Sequence, residues 1–178
     1  TMKHTYNQAF AIYALSAYYL ASKDKTALDL ALELFHTVED KCRDDVAYLE
    51  AMSEDWQIIP NDALSENGLM ADKTMNTVLH LIEAYTVLLE ACENGESAHI
   101  EERLMFLLKI AEDKIFNGGK NCLRVFFDRE FNEIGDIHSY GHDIEASWLI
   151  DRACEVIGER RFMAKWRFID LRIAENIY

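Results

Sequence analysis

Thr74-Met75-Asn76-Thr77-Val78-Leu79-His80-Leu81-Ile82-Glu83-Ala84-Tyr85 reads as a helix that is apolar on most of its surface and carries a few polar groups at fixed spacing. Asn76 and His80 are four residues apart, so they share one helix face. A second segment, Ser139-Tyr140-Gly141-His142-Asp143-Ile144-Glu145-Ala146-Ser147-Trp148, sets His142 and Glu145 three apart on a shared face. Both segments are apolar enough to be largely buried. A buried imidazole beside an amide or carboxylate suits proton transfer near neutral pH. It equally belongs in a hydrogen-bonded core, and spacing alone favours the core.

Outward from these segments, six stretches repeat apolar residues at the helical period: about 6–21, 25–41, 73–92, 97–115, 141–157 and 162 to the end. The first lines up Phe10, Tyr13, Ala14, Ala17 and Tyr18 and is broken by Ser22-Lys23-Asp24. Asn94-Gly95 is a stop signal for the third, Ser97 an N-cap candidate for the fourth, and Asn117-Gly118-Gly119 a stop for the fourth. Two connections are long, 44–72 and 120–138. The second contains Leu123-Arg124-Val125-Phe126-Phe127-Asp128, strand-like in composition, with a turn at Asp128-Arg129. Short and long connections alternate, which is the rhythm of stacked αα-hairpins in a solenoid or toroid.

The odd-numbered helices carry the unusual polar residues: Tyr6, Asn7 and Gln8, then Asn76 and His80, then His142 and Glu145. The even-numbered helices read as amphipathic scaffolding with a solvated acidic face. If the odd helices form an inner ring, their polar residues line one cavity. This asymmetry exceeds what core packing predicts.

The chain has 178 residues, expected here as a single domain over 1–178, with one proline and seven glycines. That composition favours an all-α fold over one built on many turns. The net charge of −14 argues against nucleic acid and anionic membrane as partners, because both select basic surfaces. Cys42, Cys92, Cys122 and Cys154 form no CxxC pair, which favours reduced thiols and a cytoplasmic setting. Gly118-Gly119 lacks the pattern of a phosphate-cradling loop. His138, His142 and Glu145 have a spacing that imitates a metal site. His138 precedes the helix and no third strong ligand is evident, so no metal is expected there. His4, His36 and His99 read as ordinary surface or helix-end residues.

Three segments resemble the N-acylglucosamine 2-epimerase superfamily, and within it most nearly the cellobiose 2-epimerases. They are Lys3-His4-Thr5-Tyr6-Asn7-Gln8-Ala9-Phe10-Ala11-Ile12-Tyr13-Ala14-Leu15, Met75-Asn76-Thr77 with Leu79-His80-Leu81-Ile82-Glu83-Ala84-Tyr85, and Ser139-Tyr140-Gly141-His142-Asp143-Ile144-Glu145-Ala146-Ser147-Trp148-Leu149. The resemblance spans the chain and implies about half of an (α/α)6 barrel, three helix hairpins with short β segments in the long connections. An arginine that binds substrate, a second catalytic histidine and stacking tryptophans are then expected outside this segment. The isolated segment is expected to be inactive, and its open flanks, carrying Phe10, Tyr13, Trp166 and Phe168, to favour self-association.

The resemblance further implies a small-molecule sugar substrate, a disaccharide or a monosaccharide. The expected reaction inverts C2 of the reducing-end glucose of a β-1,4-disaccharide through ring opening and a cis-enediol(ate). No cofactor is implied, because the aldehyde already acidifies the C2 proton. On this resemblance His142 is an acid/base histidine, Glu145 a carboxylate near the sugar, and His80 a histidine of ring opening and hydroxyl contacts. Asn76 is a substrate contact, and Tyr6 and Phe10 line the cleft. An aldose–ketose isomerase on the same barrel, or a non-catalytic helical interaction module, are the alternatives.

Overall fold

Four of the helices begin where the backbone leaves an extended residue. A computed structural model describes residues 2–61, 68–92 and 95–177. The helices are α1 (Thr5–Ser22), α2 (Lys25–Lys41), α3 (Met75–Ala91), α4 (Ser97–Ile110), α5 (Tyr140–Ile157) and α6 (Arg160–Ile177). Lys23, left-handed at φ 61°, ends α1, and the Asp24 carboxylate accepts the Thr26 N–H at 3.0 Å to start α2. Gly158, also left-handed, ends α5. The stop expected at Asn94 lies outside the described residues. Ser97 is not the N-cap of α4: Glu96 holds that position and Ser97 is the first helical residue. The last turn of the expected fourth helix widens to a π-type turn over 111–115.

The hairpins stack as the alternation of connections predicts. Inner helix α3 lies between α1 and α5, while α2, α4 and α6 pack outside on α1, α3 and α5 respectively. Buried Phe35, Tyr48, Met52, Met75, Leu79, Ile82 and Tyr85 join the first two hairpins in one core. Trp166 is fully buried in the α5–α6 seam, which corrects the expectation that it lies on an open flank. Large apolar side chains that are exposed on these two helices are Tyr140, Ile144, Trp148, Phe168 and Leu171.

The long connections are tied down by short antiparallel ladders. β1 (Lys3–His4) pairs with β2 (Ala51–Met52), β3 (Lys73–Thr74) with β6 (Phe126–Phe127), and β4 (Phe116–Asn117) with β5 (Cys122–Leu123). The strand-like run at 123–128 is therefore not one strand. Its ends serve two different ladders, and Arg124 between them reaches the backbone oxygens of Lys114 and Phe116. β1 runs directly into α1 and β3 into α3, so two of the ladders fix where inner helices begin.

Candidate active site

The inner helices run parallel, and their first turns converge at one end of the arc. Thr74 caps α3 by accepting the Thr77 N–H at 3.1 Å. Below this cap lies Glu50, buried to 1% exposure. Its Oε2 accepts the hydroxyls of Thr74 and Thr77 at 2.6 and 2.7 Å, and its backbone oxygen accepts the Thr5 N–H at 3.0 Å. One residue of the long connection thus sets the start of both α1 and α3. The Glu50 Oε1 faces His4 Nδ1 at 3.7 Å. His4 is accordingly not an ordinary surface residue: its side chain is 13% exposed and packs on the Tyr6 ring at the start of α1.

His142 is held at both nitrogens. Ser139 Oγ lies 2.7 Å from Nδ1 and Asn76 Oδ1 lies 3.2 Å from Nε2. With Asn76 presenting its oxygen, Nε2–H donates to it and Nδ1 accepts from the Ser139 hydroxyl. A hydroxyl donates or accepts, and an amide presents either end. Both partners therefore accommodate the neutral and the charged imidazole, which keeps the ring fixed while it changes protonation state. The bond also joins α3 to α5, so Asn76 turns to the histidine of the next inner helix rather than to His80.

His80, 8% exposed, pairs through Nδ1 with Glu83 Oε2 at 3.2 Å. A carboxylate only accepts, so Nδ1–H donates and Nε2 remains an acceptor. The Phe10 ring lies on the imidazole with centroids 4.4 Å apart, and Tyr6 meets Phe10 edge-on at 6.3 Å. Phe10 is 41% exposed, so this aromatic run is a surface lining and not core. Glu145 lies one turn along α5 from His142 and is partly exposed, and its carboxylate makes no hydrogen bond or ion pair among the described residues. Arg152, two turns further along α5, pairs with Glu90 and Glu155.

Sequence reasoning missed Glu83, Ser139 and Asp143. Asp143 is fully buried; it accepts the Leu123 N–H at 2.9 Å and forms a short hydrogen bond with His138 Nε2. That pair pins the segment leading into α5 and, with it, His142. His138, His142 and Glu145 do not gather as metal ligands. The only group among the described residues that does is His36, Glu96 and His99.

Elsewhere, buried groups are structural. Tyr48 and Tyr85 donate to Glu39 Oε1 at 2.6 and 2.7 Å, and burial holds both phenols well above their ordinary range. The four thiols are free; burial raises all of them, Cys42 and Cys92 to about 11 and Cys154 to about 12, which makes them poor nucleophiles. No helix among the described residues is long and apolar enough to cross a membrane.

The N-acylglucosamine 2-epimerase (GlcNAc 2-epimerase) family model matches residues 1–167. The chain belongs to this family. It is 55% identical over 177 residues to a cellobiose 2-epimerase of Ruminococcus albus, covering 99% of this chain and 45% of that protein. A crystal structure of a sugar epimerase from a ruminal bacterium superposes with a TM-score of 0.94 at 53% identity, covering 99% of this chain and 44% of that one. Cellobiose 2-epimerase from Bacillus thermoamylovorans B4167 does so with a TM-score of 0.89 at 40% identity, covering 99% and 45%. The chain therefore spans about 45% of the relatives it matches, and its three hairpins form a partial (α/α)6 barrel.

Proposed function

We propose that the protein carrying this segment is a sugar 2-epimerase that inverts C2 of the reducing-end glucose of a β-1,4-disaccharide such as cellobiose. The observation that carries this reading is His142, fixed at both nitrogens by Ser139 and Asn76 at the converging starts of α3 and α5. In the open-chain sugar the carbonyl acidifies the C2 proton. With the sugar displacing Asn76 from Nε2 and Nδ1–H donating to Ser139, the free Nε2 of His142 removes it, forming a cis-enediol(ate), and a proton returned to the opposite face completes the inversion. The second proton-transfer group is assigned outside this segment. His80, with Nε2 available and Nδ1 tied to Glu83, is suited to ring opening and to the sugar hydroxyls. Glu145 is assigned to the sugar, consistent with its lack of an internal partner. Asn76, Tyr6 and Phe10 are assigned to substrate contacts.

The parallel inner helices add an electrostatic contribution. Their N-terminal turns point the positive ends of three helix dipoles at the region where an enediolate would carry negative charge. Four free thiols fit a cytoplasmic setting.

The test is turnover of cellobiose by the whole protein in D2O. Deuterium at C2 of a mannosyl product is expected, and a ketose product would redirect the assignment to an isomerase. His142→Ala should lower kcat by about 10²–10⁴-fold with the circular dichroism unchanged, as for a lost general acid/base. A loss below about tenfold would remove His142 from the role.

A further inference from the structure

We infer a second site, unrelated to the sugar, on the outer wall of the arc: a surface centre for a late first-row divalent cation such as Zn2+, held by His36, Glu96 and His99. The three come from two helices. His36 is on α2, Glu96 holds the N-cap position of α4 without a side-chain cap bond, and His99 stands in the first turn of α4. One ligand atom from each lies within 4.8 Å of the other two. His36 Nε2 and Glu96 Oε2 are 3.4 Å apart. That is the edge of a tetrahedron whose bonds are about 2.1 Å, the length of Zn–N and Zn–O bonds.

The imidazoles are also braced. Buried Phe35 meets both edge-on, with centroids 5.2 Å from His36 and 5.2 Å from His99, and the two imidazoles are tilted 32° to each other at 6.1 Å. A rigid aromatic between them fixes the direction of both rings and leaves only small side-chain rotations to close the third distance. Phe35 in turn packs on Tyr85 of α3, well along the helix from the turn that carries Asn76. The donor set determines the class of ion. Two imidazoles and one carboxylate suit zinc, cobalt, nickel and copper, whereas magnesium and calcium select oxygen ligands. The three groups are exposed, so a fourth position is open to water, and the net charge of −14 favours cations near the surface. A bound ion would clamp α2 to α4 and so tie the outer helices of adjacent hairpins.

The experiment is calorimetric titration of Zn2+ into the whole protein, alongside the His36→Gln/His99→Gln double variant, with Co2+ absorption as the ligand-field readout. Neither change removes a buried group, so the metal-free thermal midpoint of the variant should stay within about 2 °C of the parent; that comparison serves as the folding control. Zn2+ should bind with a stoichiometry that falls by one in the variant, or with at least tenfold weaker affinity, loss of a ligand being worth at least what loss of an outer-shell partner costs. Co2+ should give a four- or five-coordinate visible spectrum only with the parent, and Mg2+ should give no heat with either. Equal Zn2+ binding by parent and variant, or a Co2+ spectrum that survives the double change, would overturn the site and assign any zinc to the histidines of the inner cleft.

Discussion

Helices α3 and α5 occupy equivalent inner positions yet use their residues differently. α3 has an inner helix on each side and buries twelve of its 17 residues. Within this segment α5 has one inner neighbour and buries six of its 18. Their starts differ as well. Thr74 caps α3 with its own side chain and is itself held by Glu50. Ser139, at the same position of α5, makes no side-chain cap and directs its hydroxyl to the His142 ring. The first turn of α3 is organised around its own cap, and that of α5 around the His142 ring.

The contrast breaks most readily at two isoleucines. Ile82 of α3 is fully buried, so Ile82→Ala should cost about 3 kcal/mol in urea unfolding through lost transfer energy and a cavity. Ile144 of α5 is 42% exposed, so Ile144→Ala should cost below about 1 kcal/mol in this chain. Similar losses at the two sites would mean that α5 is enclosed as α3 is, and the comparison would fail.

A smaller effect sharpens it at the caps. Glu50→Ala leaves the hydroxyls of Thr74 and Thr77, both buried, without their acceptor and should cost about 2 kcal/mol. Amide exchange in the first turn of α3 should accelerate with it. Ser139→Ala should instead cost under about 1 kcal/mol, because no cap is lost, and lower the turnover of the whole protein by freeing the His142 ring. A Ser139→Ala enzyme with full activity would show that the ring is oriented by Asn76 alone.

Much of this was legible in the residues. The 3.6-residue periods located six helices, the alternation of short and long connections paired them into hairpins, and the polar residues of the odd ones marked those as the candidates for the inner ring. The polar positions of those helices then had to converge, and Asn76 and His142 do. What the sequence concealed sits in the connections. Glu50 falls in a stretch with no periodicity, and its partners Thr74 and Thr77 are 24 and 27 residues away, so nothing local announces it. Asp143 reads as a favourable acid in a helix first turn, and only the tertiary fold shows it buried under Leu123 and His138. Glu83 was accessible in principle: it stands three residues from His80, the same spacing that drew attention to Glu145. That spacing marked a real pair in α3 and none in α5, because Asn76 and Ser139 already occupy both nitrogens of His142.

The smallest effect lies on the outer side of α5, where α6 packs. Arg167 pairs with Asp151 at 3.0 Å, while Asp170 Oδ1 is buried with no hydrogen bond. Burial, and next the charge of Asp151, push the Asp170 carboxyl up to about 7 from an ordinary 3.8. A carboxyl raised in this way binds its proton more tightly in the folded chain than in the unfolded one. The stability it supports is complete below the unfolded value near 3.8 and is lost as pH rises through about 7. Asp170→Asn keeps the shape and removes the charge. At pH 8 it should therefore stabilise the chain by about 1 kcal/mol, a figure reduced for partial solvent screening, or a few degrees in thermal midpoint. The gain should shrink at pH 5 and vanish only below about pH 3, where the aspartate is protonated in both states. Because Asp151, Arg167 and Cys154 remain in place, the difference between parent and variant isolates the one carboxyl. A variant no more stable than the parent at pH 8, or equally stabilised at both pH values, would mean that Asp170 reaches water and that the α5–α6 seam is as open as the flank of α5 that carries Ile144.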